Sequence, residues 1–287
     1  MCRHLAYLGP PVTLREAIID PPYGLYRQAW APRMMRGSGT MNVDGFGVGW
    51  YADGDPVPAR YRNFGPIWAD PSFADLTRVT RSGALLAAVR DASAGTEPGT
   101  SAAAPYGADQ WLFSHNGTLA GWPGAAAGLA AALTPLELLE LDARVDSALL
   151  WALTRKRLRN GAAPDAALAA VIGLLDAAEV SGRFNFLLTD GTTIAATAAG
   201  HSLWYRRTAG DAGDSVVVAS EPADDGPGWV EVPDRSLLTA SPAGVSVRHL
   251  EVPTEVTADD AERVRRASFP EGMAATIPEG NGRTPRR

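Results

Sequence analysis

The chain has 287 residues, of which 46% are hydrophobic and 20% charged, a composition typical of a globular protein with an apolar core. Its formal net charge is −6 and it has no dense Lys/Arg face, so we expect no nucleic-acid partner. No apolar run approaches the roughly 18 residues of a transmembrane helix, and the first residues lack the pattern of a secretory signal. We therefore expect a cytoplasmic protein without a membrane partner. The sequence leaves the oligomeric state open, a homo-oligomer included.

In chain order, the pattern predicts four strands, a helical stretch and four more strands. The first strands cover residues 2–8, 45–51, 84–90 and 111–114. Turns are expected at Gly9-Pro10-Pro11 and His115-Asn116-Gly117, and a loop over 93–109. Helices are expected over 146–159 and 164–180, with residues 124–141 helical in part. The last strands cover 183–189, 192–198, 202–206 and 216–219. Strands on both sides of a helical stretch indicate α+β layers.

The cysteine at position 2 is the one cysteine in the chain. Removal of Met1 would place its thiol and the chain's α-amino group on the same carbon. That amine, with a reference pKa of about 7.7–8.0, can take the proton of a thiol whose reference pKa is about 8.5. The alternative is that Cys2 is a small buried hydrophobic residue, as most lone cysteines are. A catalytic Cys2 would need an oxyanion hole and anchors for its substrate.

Three other places supply candidates for these parts. Asn116 and Gly117 offer a side-chain amide and a backbone N–H, a pair that can form an oxyanion hole, although most Asn-Gly pairs are hairpin turns. Arg90 follows an apolar strand and can grip a carboxylate through two parallel hydrogen bonds; the alternative is a surface salt bridge. Asp146 opens a predicted helix, where it could hold an ammonium group or act as an N-cap. An Arg and an Asp around one pocket would bind an α-amino acid head group.

The sequence predicts neither a metal nor a cofactor. The four histidines, His4, His115, His201 and His249, show no metal-ligand spacing. The alternating glycines at 45, 47 and 49 form no nucleotide-binding motif and instead indicate a strand that another part of the molecule approaches closely. We expect His115 to be structural, because an N-terminal amine can serve as the base.

Taken in order, these residues resemble the class II glutamine amidotransferases, which are N-terminal nucleophile hydrolases. The motifs that carry the resemblance are Cys2-Arg3-His4, Asn42-x-Asp44-Gly45-x-Gly47-x-Gly49-Trp50, Val89-Arg90-x-Ala92-Ser93, Ser114-His115-Asn116-Gly117 and Val145-Asp146-Ser147. The likeness covers about residues 2–250, which we take as one domain. Residues 251–287 are then a C-terminal extension, which we expect to be disordered after about residue 269.

The resemblance implies a four-layer αββα sandwich and hydrolysis of a γ-glutamyl amide in a small-molecule substrate. It makes Cys2 the nucleophile and makes Asn116 with Gly117 the oxyanion hole. Arg90, assisted by Ser93, would bind the glutamyl α-carboxylate, and Asp146 the α-amino group. Many glutamine-using relatives carry His where this chain has Ala88 and Trp where it has Asp91.

The likeness is closer still to one subfamily, the γ-glutamyl-hercynylcysteine sulfoxide hydrolases of actinobacterial ergothioneine biosynthesis. It is carried by Asp20-Pro21-Pro22-x-Gly24-Leu25, Ala104-Pro105, Asp109-Gln110-Trp111, Asn185-x-Leu187-Leu188 and Ala219-Ser220-Glu221-Pro222-x-Asp224-Asp225. The leaving group there carries a trimethylammonium, which aromatic faces bind well. Tyr106 and Trp111 are candidates for that contact, with Trp68 and Trp50.

Two other functions are compatible with the sequence. The chain could be a glutaminase subunit that supplies ammonia to a separate synthase, or a non-catalytic binding protein of the same fold. The substrate that is turned over, and the state of Met1, separate these alternatives from the hydrolase.

Overall fold

The computed structural model describes residues 2–35, 41–92, 96 and 99–251. These residues form two antiparallel sheets, of seven and six strands. Sheet A contains β1 (Arg3–Thr13), β2 (Phe46–Trp50), β3 (Ala59–Asn63), β4 (Arg81–Val89), β9 (Trp204–Thr208), β10 (Ser215–Ala219) and β11 (Val230–Glu231). Sheet B contains β5 (Tyr106–Ala108), β6 (Trp111–Leu119), β7 (Gly182–Thr189), β8 (Ile194–Ala198), β12 (Ser236–Ser241) and β13 (Gly244–His249). The strand orders are β11-β9-β10-β1-β4-β2-β3 and β13-β12-β8-β7-β6-β5.

Helices cover the outer face of each sheet. They are α1 (Leu14–Ile18), α2 (Leu25–Gln28), α3 (Pro71–Val79), α4 (Ala127–Ala130), α5 (Pro135–Leu139), α6 (Asp146–Arg159) and α7 (Pro164–Ala177). Helices α1 to α3 share one apolar cluster with sheet A, and α6 and α7 share another with sheet B. Thr13 begins α1 with a capping box, in which it and Glu16 accept each other's backbone N–H.

Alternation along the strands builds the layers. On β1, Leu5 and Tyr7 pack against the helices, whereas Ala6 and Leu8 pack against sheet B, because successive side chains of a strand point to opposite faces. The strands of sheet B alternate in the same way, and Leu187 of β7 packs between the two sheets. The result is the αββα sandwich that the resemblance implied, and that prediction is confirmed.

The face between the sheets is apolar along most of its length and polar at one end. His4 continues the inward face of β1, and Ser114 and Asn116 continue that of β6. Asn185 of β7 and Ser220, directly after β10, reach the same level, and all five side chains are buried. Since Cys2 precedes His4 by two residues, alternation places it on this polar face as well.

The predicted turn at Asn116-Gly117 is wrong. Both residues lie within β6, where Asn116 pairs with Asn185 and Gly117 with Phe184. Pairing with β7 over eight positions outweighs the local turn preference of Asn-Gly. The glycine is needed for space instead, since a Cβ there would lie 1.8 Å from the carbonyl oxygen of Arg183.

Two other boundaries also differ from the prediction. β1 runs through Gly9-Pro10-Pro11 to Thr13, because a register shift between Leu8 and Val12 absorbs the prolines. The predicted loop over 93–109 contains the edge strand β5. The glycine strand is confirmed, since a Cβ at Gly47 would lie 2.5 Å from the carbonyl oxygen of Ala104.

Within the described part of the chain, no helix has both the length and the apolar character to cross a membrane. Apart from Glu251, the expected C-terminal extension over 251–287, with its disorder after about residue 269, lies outside the described residues.

Candidate active site

Cys2 lines a cavity where the ends of β1, β4 and β6 meet the start of α6. The cavity measures about 20 Å³, which is room for about one water molecule. A glutamyl group therefore requires its walls to move apart. The wall residues that matter for chemistry are Cys2, Arg90, Tyr106, Gly117 and Asp146. The structure thus brings together five of the eight predicted site residues.

The Cys2 thiol lies near the Asp91 carbonyl oxygen, with Sγ 3.9 Å from it. Burial raises the pKa of this thiol, while the positive charges of the amino terminus and of Arg90 act in the opposite direction. The thiol form is therefore favoured at rest, and a nucleophilic role for Cys2 would require a base. Ala88 and Asp91, where relatives carry His and Trp, both line the cavity, so these departures change its wall.

The Arg90 side chain is held at the end of β4 by two hydrogen bonds, and the segment after it by a third. Its Nη1 donates to the backbone oxygen of Asp44 at 3.2 Å, and its Nη2 donates to Thr96 Oγ1 at 3.1 Å. The Asp44 carboxylate accepts the Ala92 N–H at 2.8 Å, which fixes the segment that follows the arginine. These contacts set the orientation of a buried guanidinium whose remaining N–H groups can bind a carboxylate.

Asp146 is the first residue of α6 and ties that helix to the end of β6. Its Oδ2 accepts the Leu119 N–H at 2.9 Å, and its Oδ1 accepts the Ser147 N–H at 2.8 Å. Ser147 Oγ also lies 3.3 Å from Oδ1. A carboxylate offers about four lone-pair positions, so at least one remains for a further donor. Val145, and not Asp146, is the N-cap of α6, so the alternative reading of Asp146 as an N-cap is wrong, and the Asp146 carboxylate lines the cavity.

Asn116 lies beside the cavity rather than in its wall. Its Nδ2 donates to Ser220 Oγ at 3.2 Å, and the same hydroxyl accepts the His4 N–H at 3.0 Å. The side-chain amide has two N–H groups, so Ser220 uses one of them. Ser220 therefore fixes Asn116 relative to β1. The sequence placed Ser220 in a motif but assigned it no function.

His115 is bound on both sides of its ring. Its Nε2 donates to the Arg183 carbonyl oxygen at 2.9 Å, so its Nδ1, 3.0 Å from Ser147 Oγ, is the acceptor. Burial lowers the pKa of this histidine. These contacts agree with the structural role expected from the sequence.

The remaining predicted residues lie elsewhere. Ser93 falls outside the described residues. Trp111 is at the start of β6, four residues or about 13 Å along the strand from His115, and does not line the cavity. Trp50 and Trp68 do not line it either, and Trp68 packs edge-on against Trp30. Tyr106 lines the cavity and donates its hydroxyl to the Ala102 carbonyl oxygen at 3.0 Å.

A family model of the class II glutamine amidotransferases matches residues 27–214 of the chain. The chain belongs to the class II glutamine amidotransferases. Its structure is similar to that of a glutamine aminotransferase class-II domain protein from Silicibacter pomeroyi, with a TM-score of 0.60 and 25% sequence identity. The match covers 86% of this chain and 98% of that one.

Two relatives of the chain share a name. The chain is 39% identical over 250 residues to the γ-glutamyl-hercynylcysteine sulfoxide hydrolase of Mycolicibacterium smegmatis. This match covers 87% of the chain and 100% of that protein. The enzyme of the same name from Mycobacterium tuberculosis is 39% identical over 253 residues, covering 88% and 97%.

The polar end of the sandwich also contains two buried neutral histidines. Burial lowers the pKa of His4 and that of His201 from 6.5 to about 3. His4 Nδ1 lies 3.2 Å from Ser114 Oγ. In the unfolded chain these histidines take up a proton below about pH 6.5, whereas in the folded protein they do so near pH 3. The unfolded state therefore binds more protons in this window, and stability falls as the pH falls through it.

This linkage predicts the behaviour of a His4→Asn variant. Between about pH 7 and about pH 5.5 it should lose about 1 kcal/mol less unfolding free energy than the wild type, because one titrating group is removed. Urea unfolding at the two pH values measures the difference. His249→Asn, at an exposed histidine of β13, is the matched control and should show the wild-type loss. An equal loss in His4→Asn and wild type would contradict the prediction.

Proposed function

We propose that this protein hydrolyses the γ-glutamyl amide bond of γ-L-glutamyl-hercynylcysteine S-oxide, giving glutamate and hercynylcysteine S-oxide in ergothioneine biosynthesis. The reaction proceeds through a thioester on Cys2. The convergence of Cys2, Arg90 and Asp146 on one cavity carries the proposal. The shared name of two relatives that align over 97–100% of their length supports the choice of substrate.

The glutamyl head group is recognised by charge. Arg90 binds the α-carboxylate with the guanidinium N–H groups that are not bonded to Asp44 or Thr96. Ser93 assists in this contact. Asp146 accepts a hydrogen bond from the α-ammonium on a remaining lone pair. Because both groups are buried, these contacts are stronger than the same pairs in water. They place the γ-carbonyl at the Cys2 thiol.

The nucleophile requires removal of Met1. The amine of Cys2 then takes the thiol proton, directly or through one water. A retained Met1 would acylate that amine and leave a thiol whose pKa burial raises. The amine fills the role of base, so a histidine is not required, and both nitrogens of His115 are already engaged by other groups.

The rest of the reaction is acyl transfer in two halves. The Cys2 sulfur attacks the γ-carbon, and the oxyanion that forms accepts from the second N–H of Asn116 Nδ2 and from the Gly117 backbone N–H. One such donor stabilises the transition state by roughly 3–4 kcal/mol. The protonated amine gives its proton to the leaving nitrogen, the C–N bond breaks, and water then cleaves the thioester.

Tyr106 is our candidate for the trimethylammonium end, since its ring lines the cavity. Trp111 contributes there only through a substrate that extends along β6, because it does not line the cavity.

The substrate preference tests the proposed function. Purified protein should release glutamate from the hercynylcysteine sulfoxide conjugate much faster than from glutamine, and Cys2→Ala should abolish both activities while keeping the fold, since the attacking atom is lost. Glutamate release is measured alongside circular dichroism of each variant. Appreciable glutaminase activity without conjugate turnover would favour the ammonia-supplying subunit. Binding of the conjugate without turnover would favour the non-catalytic alternative.

The carboxylate clamp predicts the effect of Arg90→Lys. A lysine keeps the charge but loses the two-pronged geometry, so kcat/KM should fall by about 10- to 150-fold, corresponding to roughly 1.5–3 kcal/mol for a charged hydrogen bond. Steady-state kinetics on the conjugate measures the change. Arg81→Lys is the matched control, because Arg81 is exposed at the opposite end of β4, and it should keep wild-type kinetics. Equal kinetics of the two variants would refute the clamp.

A further inference from the structure

A buried ion pair lies directly behind the nucleophile. Arg3 Nε donates to Glu221 Oε1 at 3.1 Å, and each side chain is 1% exposed. Removing two charges from water is costly, and a pair in this position is retained only where further hydrogen bonds satisfy its remaining atoms. The hydrogen-bond partners of Arg3 and Glu221 therefore show which backbone segments the ion pair keeps in position.

Every described partner of Glu221 is a donor. Its Oε2 accepts the backbone N–H groups of Arg33 and Met34, at 2.7 and 2.8 Å, and its Oε1 accepts from Arg3. An amide in place of the carboxylate would turn an NH2 group toward at least one of these donors. The position thus requires a carboxylate and not merely a polar side chain of that shape.

Arg3 connects the Glu221 carboxylate to the backbone of Cys2. Its Nη1 donates to the carbonyl oxygen of Cys2 at 3.1 Å, and its Nη2 donates to the carbonyl oxygen of Met34 at 3.4 Å. The register of β1 with β4 starts at the Arg3–Val89 pair, so Cys2 lies just before the ladder. The guanidinium therefore fixes the backbone of a residue that the ladder does not include.

We propose that Glu221 is a positioning residue for catalysis, which acts through Arg3 to set the backbone of Cys2. The orientation of that backbone directs both the thiol and the amine, because they share one carbon after Met1 is removed. This inference rests on the proposed function of Cys2. Two other ion pairs of the same segment, Arg206–Asp224 and Arg33–Asp225, have no contact with Cys2 in the described part of the chain.

Glu221→Gln tests the proposal, with Asp225→Asn as the matched control. Both variants remove one carboxylate from the same segment, but Asp225 is exposed and pairs only at the surface. We expect kcat of Glu221→Gln on the conjugate to fall by about 10²-fold with little change in KM, because misplacing a reacting group costs rate rather than binding. Glu221→Asp, which keeps the carboxylate, should recover part of the loss. Asp225→Asn should keep wild-type values.

The melting temperature and the rate of Cys2 alkylation by iodoacetamide are measured on the same samples. Alkylation should be faster in Glu221→Gln, since a released backbone exposes the thiol, and this readout needs no substrate. It therefore tests Glu221 even if the wild type fails to hydrolyse the conjugate, which would refute the proposed function alone. Wild-type kcat and alkylation in folded Glu221→Gln would overturn the proposal.

A second variant decides the case in which Glu221→Gln does not fold. Arg3→Lys keeps the charge of the pair, but one ammonium cannot reach Glu221, Cys2 and Met34 together. It should show the same fall in kcat with KM preserved. A wild-type kcat in this variant would likewise overturn the proposal.

Discussion

The close packing of the two sheets is the constraint on which the site depends. Small side chains such as Ala6, Ala84 and Ala196 fill the space between them and let the strands approach. At the polar end the same proximity lets one hydroxyl, that of Ser220, contact the backbone of β1 and the side chain of Asn116 together. Strand β1, which Cys2 precedes, and the Asn116 amide of β6 belong to different sheets, and their relative position follows from the sandwich.

The site concentrates charge where little water reaches. Arg90 and Asp146 line the cavity, and Arg3 with Glu221 lies behind it, and all four side chains are buried. Each is engaged by several hydrogen bonds before any substrate arrives, which reduces the reorganisation that binding requires. Burial raises the pKa of the Cys2 thiol although the positive charges of the amino terminus and of Arg90 act in the opposite direction, so in our proposal the amine next to it takes its proton.

Much of the fold and of the site could be predicted from the sequence because the signals were local. The helix over 146–159 was predicted with its bounds, and the glycine pattern correctly indicated a close approach to β2. Asn116-Gly117 was assigned to a turn because the pairing of β6 with β7, which overrides the local preference, is set by residues 60 or more positions away. Arg3 and Glu221 are 218 positions apart in the chain, so only the folded register shows that they meet.

The central claim is that Cys2 becomes the amino-terminal residue and carries the glutamyl group during turnover. Intact-protein and peptide mass spectrometry of protein quenched while hydrolysing the conjugate measures this directly. Our account predicts a chain that lacks Met1 and bears one glutamyl group on its first peptide, with no adduct in Cys2→Ala. Full activity in protein that retains Met1, or a glutamyl adduct on another residue, would contradict it.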